Sequence, residues 1–273
     1  MTNPIHAQKI TYSNRLESSI VAITGAGSGN GKAAALRTGR EGASLYISDI
    51  NAELLEETIG DLKSEGINAQ GGIFDAANID DAPRFIAAVK EAHGRIDVLV
   101  NNAGAVKVEP FPNVSEKNWD WTMNLNLKGA FFLMQEAAKA MIDQQSGNIV
   151  NIASIAGTFG GPTSSPSYAA AKAGLVNLTT VAAAVLAQYT IRVNAIAPGI
   201  INTPFHAPVD LAIGQEQLGL APGEHINTRV GLIPLGRLGE PEDVAATVAF
   251  LSSEDAAHIS GETITVAGAM RSL

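Results

Sequence analysis

The feature that most constrains this chain is a rhythm. From residue 19 onward, short apolar runs bounded by turn residues alternate with stretches of helical length. "SIVAITG" (19–25) precedes "GKAAALRTGREG" (31–42), "ASLYISDI" (43–50) precedes "AELLEETIGDLKSEG" (52–66), and "NAQGGIFDAA" (68–77) precedes "DDAPRFIAAVKEAHG" (80–94). "IDVLVNNAG" (96–104) leads into a long helix through "NWDWTMNLNLKGAFFLMQEAAKAMI" (118–142), and "GNIVNIAS" (147–154) into "SYAAAKAGLVNLTTVAAAVLAQY" (167–189). The strand "IRVNAIAPG", the helix "PEDVAATVAFLSS" and the strand "ETITVAG" close the pattern. Strands that read as continuous apolar runs are covered on both faces. Strict strand–helix alternation therefore predicts an α/β chain, a Rossmann-like doubly wound parallel sheet flanked by helices, with right-handed crossovers.

No linker interrupts this order, so residues 19–273 read as a single domain behind an N-terminal arm at residues 1–18. The one break in rhythm, "INTPFHAPVDLAIGQEQLGLAPGEHINTRVGLIPLGR", carries four prolines. A long irregular insertion in a compact domain is more often functional than idle, so residues 204–230 are expected to form a substrate lid. The net charge of −9, with no basic cluster, excludes a nucleic-acid partner. The chain has no cysteine, hence no disulfide and no thiolate metal site; no metal is expected. No apolar run reaches membrane-spanning length and the N-terminus lacks an apolar signal segment, so a cytoplasmic protein without a membrane partner is expected.

The sharpest motif is "TGAGSGNGK", Thr24 to Lys32, with four glycines after the first strand. Two phosphate-binding readings compete. A loop for a nucleoside triphosphate needs glycine six residues before its Gly-Lys pair ends and a hydroxyl after the lysine; here those positions are Ala26 and Ala33. A strict G-x-G-x-x-G also fails, because Asn30 stands where the third glycine belongs. The pattern T-G-x-x-x-G-x-G does fit, through Thr24, Gly25, Gly29 and Gly31. It uses the same physics: glycines let backbone N–H groups approach a pyrophosphate at a helix N-terminus. Asp49 ends the second strand, where a carboxylate accepts from an adenosine ribose 2′-hydroxyl and repels a 2′-phosphate. Ser28 and Ile50 flank that place without a positive charge, which favours NAD over NADP.

Four further segments follow in order: "NNAG" (101–104), "MNLNLKG" with Asn126, "IASIAG" with Ser154, and "YAAAK", which sets Tyr168 and Lys172 one helical turn apart. With "RVNAIAPG", Thr203 and "PLGRLGEPEDVAATVAFLSS", the chain resembles the short-chain dehydrogenase/reductase family over nearly all of residues 18–268. The resemblance implies hydride transfer between a secondary alcohol or ketone substrate and the nicotinamide of NAD. Tyr168 is then the general acid/base, Lys172 lowers its pKa and holds the nicotinamide ribose, Ser154 positions the substrate oxygen, and Asn126 holds a relay water. Asp75, followed by Ala76, resembles the adenine contact. Asn101, Asn102, Ala103 and Gly104 pass beside the adenosine ribose, and Pro198, Gly199, Ile201 and Thr203 flank the nicotinamide with Tyr168 and Lys172. The family's assembly implies a homotetramer, built through the helices near 119–143 and 168–188.

Departures from the family pattern concern the cofactor side. Asn30 replaces a branched apolar residue, and a polar side chain there costs desolvation unless it finds a partner. The substrate wall is expected from residues 156–166, 106–111 and the lid, which offer Phe159, Phe205, Leu211, Ile213 and Leu218. His206 and His225 read as solvated loop histidines. Two rival readings stay open: an NADPH-dependent carbonyl reductase, and a dinucleotide-binding scaffold without turnover.

Overall fold

A computed structural model describes residues 14–159 and 165–270. Seven strands, β1 (Ile20–Thr24), β2 (Ser44–Asp49), β3 (Ala69–Ile73), β4 (Val98–Asn101), β5 (Gly147–Ile152), β6 (Ile191–Pro198) and β7 (Thr263–Val266), form one parallel sheet in the order β3-β2-β1-β4-β5-β6-β7. The order reverses between β1 and β4, and in such sheets ligands bind in the crevice beyond the strand carboxyl ends at that point.

Side-chain alternation along each strand splits the core in two. Val21, Ile23, Leu45 and Ile47 face one layer, made with α1 (Gly29–Arg40), α2 (Ala52–Ser64) and the later α9 (Pro241–Ser252). Ala22, Leu99 and Ile149 face the other, with α3 (Asp81–His93), α5 (Ala130–Gln144) and α6 (Pro166–Leu186). Local chemistry sets the helix ends. The Asn51 side chain caps α2 by accepting from Leu54 N at 3.1 Å. Gly94, left-handed at φ 79°, stops α3. Pro241 opens α9 within a reciprocal Glu240–Asp243 capping box.

Three expectations change. The arm expected over residues 1–18 is anchored at its end. Leu16 is 1% exposed in the core, and the Arg15 guanidinium grips buried Glu41 at 2.8 Å while Arg37 pairs with the same carboxylate. Residues 1–13 lie outside the described residues. The long helix expected through 118–142 is continuous but not α throughout: α4 (Glu116–Met123) passes through a π turn, Asn124–Gly129, before α5 begins. A Cβ at Gly129 would stand 1.7 Å from the Ala76 carbonyl oxygen, so this close crossing admits only glycine. Finally, the segment Pro166–Tyr189 is long and apolar enough to cross a membrane by length and composition, where no such run was expected. Its many alanines count as apolar, but it buries Lys172 and Thr179 and packs on the sheet.

The lid region is less irregular than its prolines suggest. It winds through short helical pieces: Pro204–His206, α7 (Ala207–Val209), a π turn at Asp210–Gln215, α8 (Glu224–Thr228) and a 3-10 turn at Arg229–Leu232.

Candidate active site

The glycine loop lies in the crevice between β1 and β4. Gly25 (φ 64°) and Gly29 (φ 51°) take left-handed conformations that side chains resist. A Cβ on Gly31 would come 2.1 Å from the Gly25 carbonyl oxygen, so α1 can start against the loop only with glycine there. The loop is clamped from β4. Thr24 Oγ1 accepts from the backbone N–H groups of Asn102 (3.1 Å) and Ala103 (3.0 Å), and Asn102 Nδ2 donates to the carbonyls of Thr24 (2.9 Å) and Gly25 (3.0 Å). The first turn of α1 has no acidic residue, and the Ser28 hydroxyl makes no capping bond, which leaves an N-terminus suited to an anion. Lys32, the residue that suggested a triphosphate, turns away to Glu57 (2.9 Å) and Asp61 (2.8 Å) on α2.

Asp49 reaches back under this loop. Its Oδ2 accepts from Gly27 N at 2.9 Å and its Oδ1 from Asn51 N at 2.9 Å, which fixes the carboxylate at the mouth of the crevice with lone pairs to spare. Ile50 beside it is 67% exposed. Asp75 follows β3 and accepts from Ala77 N at 2.9 Å. The Asn101 side chain is not in the crevice: buried, it donates to the Ala130 carbonyl (2.8 Å) and to Asn151 (3.2 Å), joining β4 to the start of α5. Any contribution of Asn101 to a ligand is thus through its backbone. Asn30 Oδ1 is buried without a hydrogen-bond partner among the described residues.

The four candidate catalytic side chains converge. Ser154 ends the β5 segment and opens a 3-10 turn; its Oγ accepts from Ala156 N at 3.2 Å, so it caps the turn and also bonds the Tyr168 phenol. Lys172, 3% exposed, donates from Nζ to the Ile152 carbonyl at 2.8 Å and stands 5.6 Å from the Tyr168 ring centroid. The π turn aims Asn126 inward: Nδ2 donates to the carbonyls of Ala105 (3.0 Å) and Thr122 (3.1 Å), while Oδ1 is buried and unpartnered among the described residues. A Cβ on Gly104 would stand 2.7 Å from that Oδ1 and 3.4 Å from Lys172 Nζ, so both atoms face one spot that glycine keeps bare.

Burial dominates the electrostatics. It pushes the Tyr168 phenol above its ordinary range, opposed by the Ser154 hydroxyl donating to the phenol oxygen, and it pushes the Lys172 ammonium down to about 8. Lys172, expected to lower the phenol's pKa, is not among the groups that act on it here: burial acts first, and the Ser154 hydroxyl opposes it.

Among the residues expected beside a nicotinamide, Gly199 N donates to Val266 O at 2.9 Å, and Gly199 packs so that a Cβ would stand 2.8 Å from that of Ala267. Pro198 ends β6, and the Ile201 side chain belongs to the core. Thr203 touches the loop: a Cβ on Gly29 would lie 3.3 Å from its side chain. Of the expected substrate-wall residues, Phe205 does pack on Tyr168, ring centroids 5.6 Å apart. Leu211 and Leu218 are exposed, and Phe159 joins an apolar cluster with Ile155, Ile200 and Met270. Phe159 also borders a cavity of about 560 Å³ that none of the four side chains lines, so chemistry rather than volume locates the site. Residues 160–164 of the expected substrate-side loop lie outside the described residues.

The histidines read as solvated are not. His206 packs edge-on to Phe205 at 5.6 Å and donates to the Ile201 carbonyl, and burial pushes it down to about 4 with help from the charge of Arg229. His225 Nδ1 is buried and unpartnered among the described residues. Arg229 drew no attention in the sequence. The only available signal was a cation in a proline-broken insertion.

The bare floor at Gly104, the orphaned acceptor of Asn126 and the open helix N-terminus fit a nicotinamide dinucleotide lying from Asp49 across the glycine loop to Lys172. Comparison with known proteins agrees. The short chain dehydrogenase family profile matches residues 19–213. The chain is 37% identical over 256 residues to a 3-oxoacyl-(acyl-carrier-protein) reductase of Thermotoga maritima, covering 94% of this chain and 99% of the relative. It is 36% identical to a 7alpha-hydroxysteroid dehydrogenase of Bacteroides fragilis, covering 94% and 96%. The crystal structure of levodione reductase superposes with a TM-score of 0.87 at 33% identity, covering 94% of this chain and 98% of that one. The chain belongs to the short-chain dehydrogenase/reductase family, whose members are nicotinamide-dependent oxidoreductases.

Proposed function

We propose that this protein is an NAD(H)-dependent dehydrogenase that interconverts a secondary alcohol and a ketone. The observation that carries the reading is the Ser154–Tyr168–Lys172 cluster: a phenol bonded to a serine hydroxyl, with a buried amine one turn away, facing the crevice. The dinucleotide supplies hydride acceptance and donation at its nicotinamide when bound. Tyr168 exchanges the hydroxyl proton with the substrate oxygen, and Ser154 holds that oxygen by hydrogen bonding. Lys172, low enough at about 8 to give and take a proton near neutrality, restores the phenol's proton. Asn126 Oδ1 is the acceptor that would hold a water between Lys172 and solvent.

Asp49 supports NAD over NADP. Its carboxylate would repel a 2′-phosphate, and Lys32, the loop's only cation, is committed to Glu57 and Asp61. Titration with NADH and with NADPH, followed by a panel of secondary alcohols scored for NADH absorbance, tests the reading. A clear NADPH preference overturns the Asp49 assignment. Tyr168→Phe is expected to lower kcat about a hundredfold or more, the scale of general acid/base catalysis. Retained activity in that variant would favour a binding scaffold instead.

The same reading includes a homotetramer and a cytoplasmic location. Val181 and Val185, one turn apart on α6, are exposed, an apolar patch that a second copy would cover. Light scattering of the purified chain tests this.

A further inference from the structure

Among the described residues, one cation of the lid has no counter-charge. Arg229 opens the 3-10 turn after α8 and is half-buried; among the described residues its guanidinium makes no ion pair and no side-chain hydrogen bond, and burial alone acts on it. Two of the lid's three carboxylates are engaged elsewhere. Asp210 Oδ2 accepts from Gly223 N (2.8 Å) and Gln215 Nε2 (3.1 Å), and Glu224 accepts from Ala221 N (3.0 Å). The segments 1–13, 160–164 and 271–273 contain no Asp or Glu that could supply a side-chain partner. A desolvated cation without a partner is costly, and folds retain such groups where a ligand supplies the charge.

Its position points to the ligand. The charge of Arg229 acts on the His206 ring, His206 packs on Phe205 at 5.6 Å, and Phe205 packs on Tyr168 at 5.6 Å. Tyr168, Phe205 and His206 thus form one row of rings, and the charge of Arg229 acts on the ring at its far end. His206 is held neutral by burial and donates to the Ile201 carbonyl, so the positive charge at that end resides on Arg229. The chain carries a net −9, against which an anionic substrate needs a local cation.

We propose that Arg229 receives an anionic group of the substrate, a carboxylate or a phosphate monoester, at the end of the row of rings opposite the oxygen that bonds Tyr168 and Ser154. A guanidinium presents a planar fork suited to either group. The inference rests on the reading of Tyr168 as the alcohol/ketone site and narrows its substrate class to oxo and hydroxy compounds bearing an anion.

Binding to the full chain saturated with NAD⁺, where a ketone forms a dead-end complex, tests this without turnover. The carboxylate arm compares acetoacetate and 4-oxopentanoate with their methyl esters; the phosphate arm compares dihydroxyacetone phosphate with dihydroxyacetone. In one arm the anion is expected to bind about tenfold to a hundredfold tighter than its neutral partner, the range of a charge-assisted hydrogen bond. Arg229→Gln is expected to erase that difference while leaving the neutral ligand's Kd and the NAD⁺ Kd unchanged, and Arg229→Lys to recover part of it. Neutral ligands binding as well as anions in both arms overturns the proposal while the alcohol/ketone reading stands. A weakened NAD⁺ Kd in Arg229→Gln also overturns it, since the arginine would then serve the cofactor's pyrophosphate. Failure of every ketone to bind, together with no alcohol oxidation, overturns both readings.

Discussion

Asp49 Oδ2 accepts the Gly27 backbone N–H at 2.9 Å, so the residue that would choose the cofactor also shapes the loop that would hold it. A Cβ on Gly27 would stand 2.9 Å from that same oxygen, which leaves no room between loop and carboxylate. Asp49→Ser is therefore expected to lower kcat/KM with NAD about tenfold to a hundredfold, the scale of a lost hydrogen bond to a charged group. The relative use of NADP should rise because the repulsion of a 2′-phosphate goes with the carboxylate. Steady-state kinetics with both cofactors check this; an unchanged NAD to NADP ratio would place cofactor choice elsewhere.

Lys172 gives a pH signature that does not depend on turnover. Its folded pKa of about 8 lies below the ordinary 10.5, so between those values the unfolded chain binds the proton more tightly than the folded one. Stability from this group consequently rises as pH climbs through 8 toward 10.5, by on the order of 3 kcal/mol across the full window. Below pH 8 the penalty of burying the ammonium is fully present. Tyr168 acts in the opposite sense only above its unfolded pKa of roughly 10, since its folded value is raised. Denaturant titrations at pH 7 and 9.5 should find wild type gaining on Lys172→Met as pH rises, with the variant the more stable of the two at pH 7. Parallel pH dependences for the two proteins would mean that Lys172 is better solvated than its burial implies.

The layout of the sheet was legible because both faces are covered, so each strand is a plain apolar run and each crossover a separable helix. The Ser154, Tyr168 and Lys172 positions were legible because, taken in order with "NNAG" and "NLNLKG", they resemble one family's pattern; singly, a Tyr and Lys one turn apart and a Ser after a strand read as a surface pair and a turn cap. What escaped was set by packing between distant segments. The π turn that aims Asn126 inward has no local signature in "NLNLKG"; it follows from the crossing of Gly129 over Ala76. Asn101 looks like a ligand-side residue in "NNAG" but is buried between β4 and α5. His206 reads as a polar loop residue, and only the fold of the lid packs it against Phe205. Leu16 and Arg15 sit in a segment with no periodicity, and their anchoring depends on Glu41, whose burial no local pattern announces.

Glu41 is 1% exposed between Arg15 and Arg37, and Arg15 also reaches Asp255 at 3.1 Å beyond the end of α9. Breaking a buried pair leaves the remaining charges uncompensated, which is far worse than never having had them. Glu41→Gln is expected to cost about 3 kcal/mol of stability. Because the cluster lies at the amino ends of the strands, away from Tyr168, kinetic constants at low temperature should not change. Chemical denaturation together with kinetics checks both halves, and a loss of activity without loss of stability would contradict the assignment.

Asn30 presents the reverse case, a buried polar atom with nothing to bond. Its Oδ1 has no partner among the described residues although it sits in the first turn of α1, where the family pattern has a branched apolar side chain. An unsatisfied buried acceptor costs about 1–3 kcal/mol, and an apolar group of similar shape removes that cost. Asn30→Leu is accordingly expected to stabilise the cofactor-free protein by about 1 kcal/mol, seen as a raised denaturation midpoint at unchanged slope. Saturating NADH discriminates what the amide is for. If the stabilisation persists with the dinucleotide bound, Asn30 contributes nothing to holding it. If it vanishes or reverses, the acceptor finds its partner in the ligand, and the cost in the free protein is the counterpart of that contact.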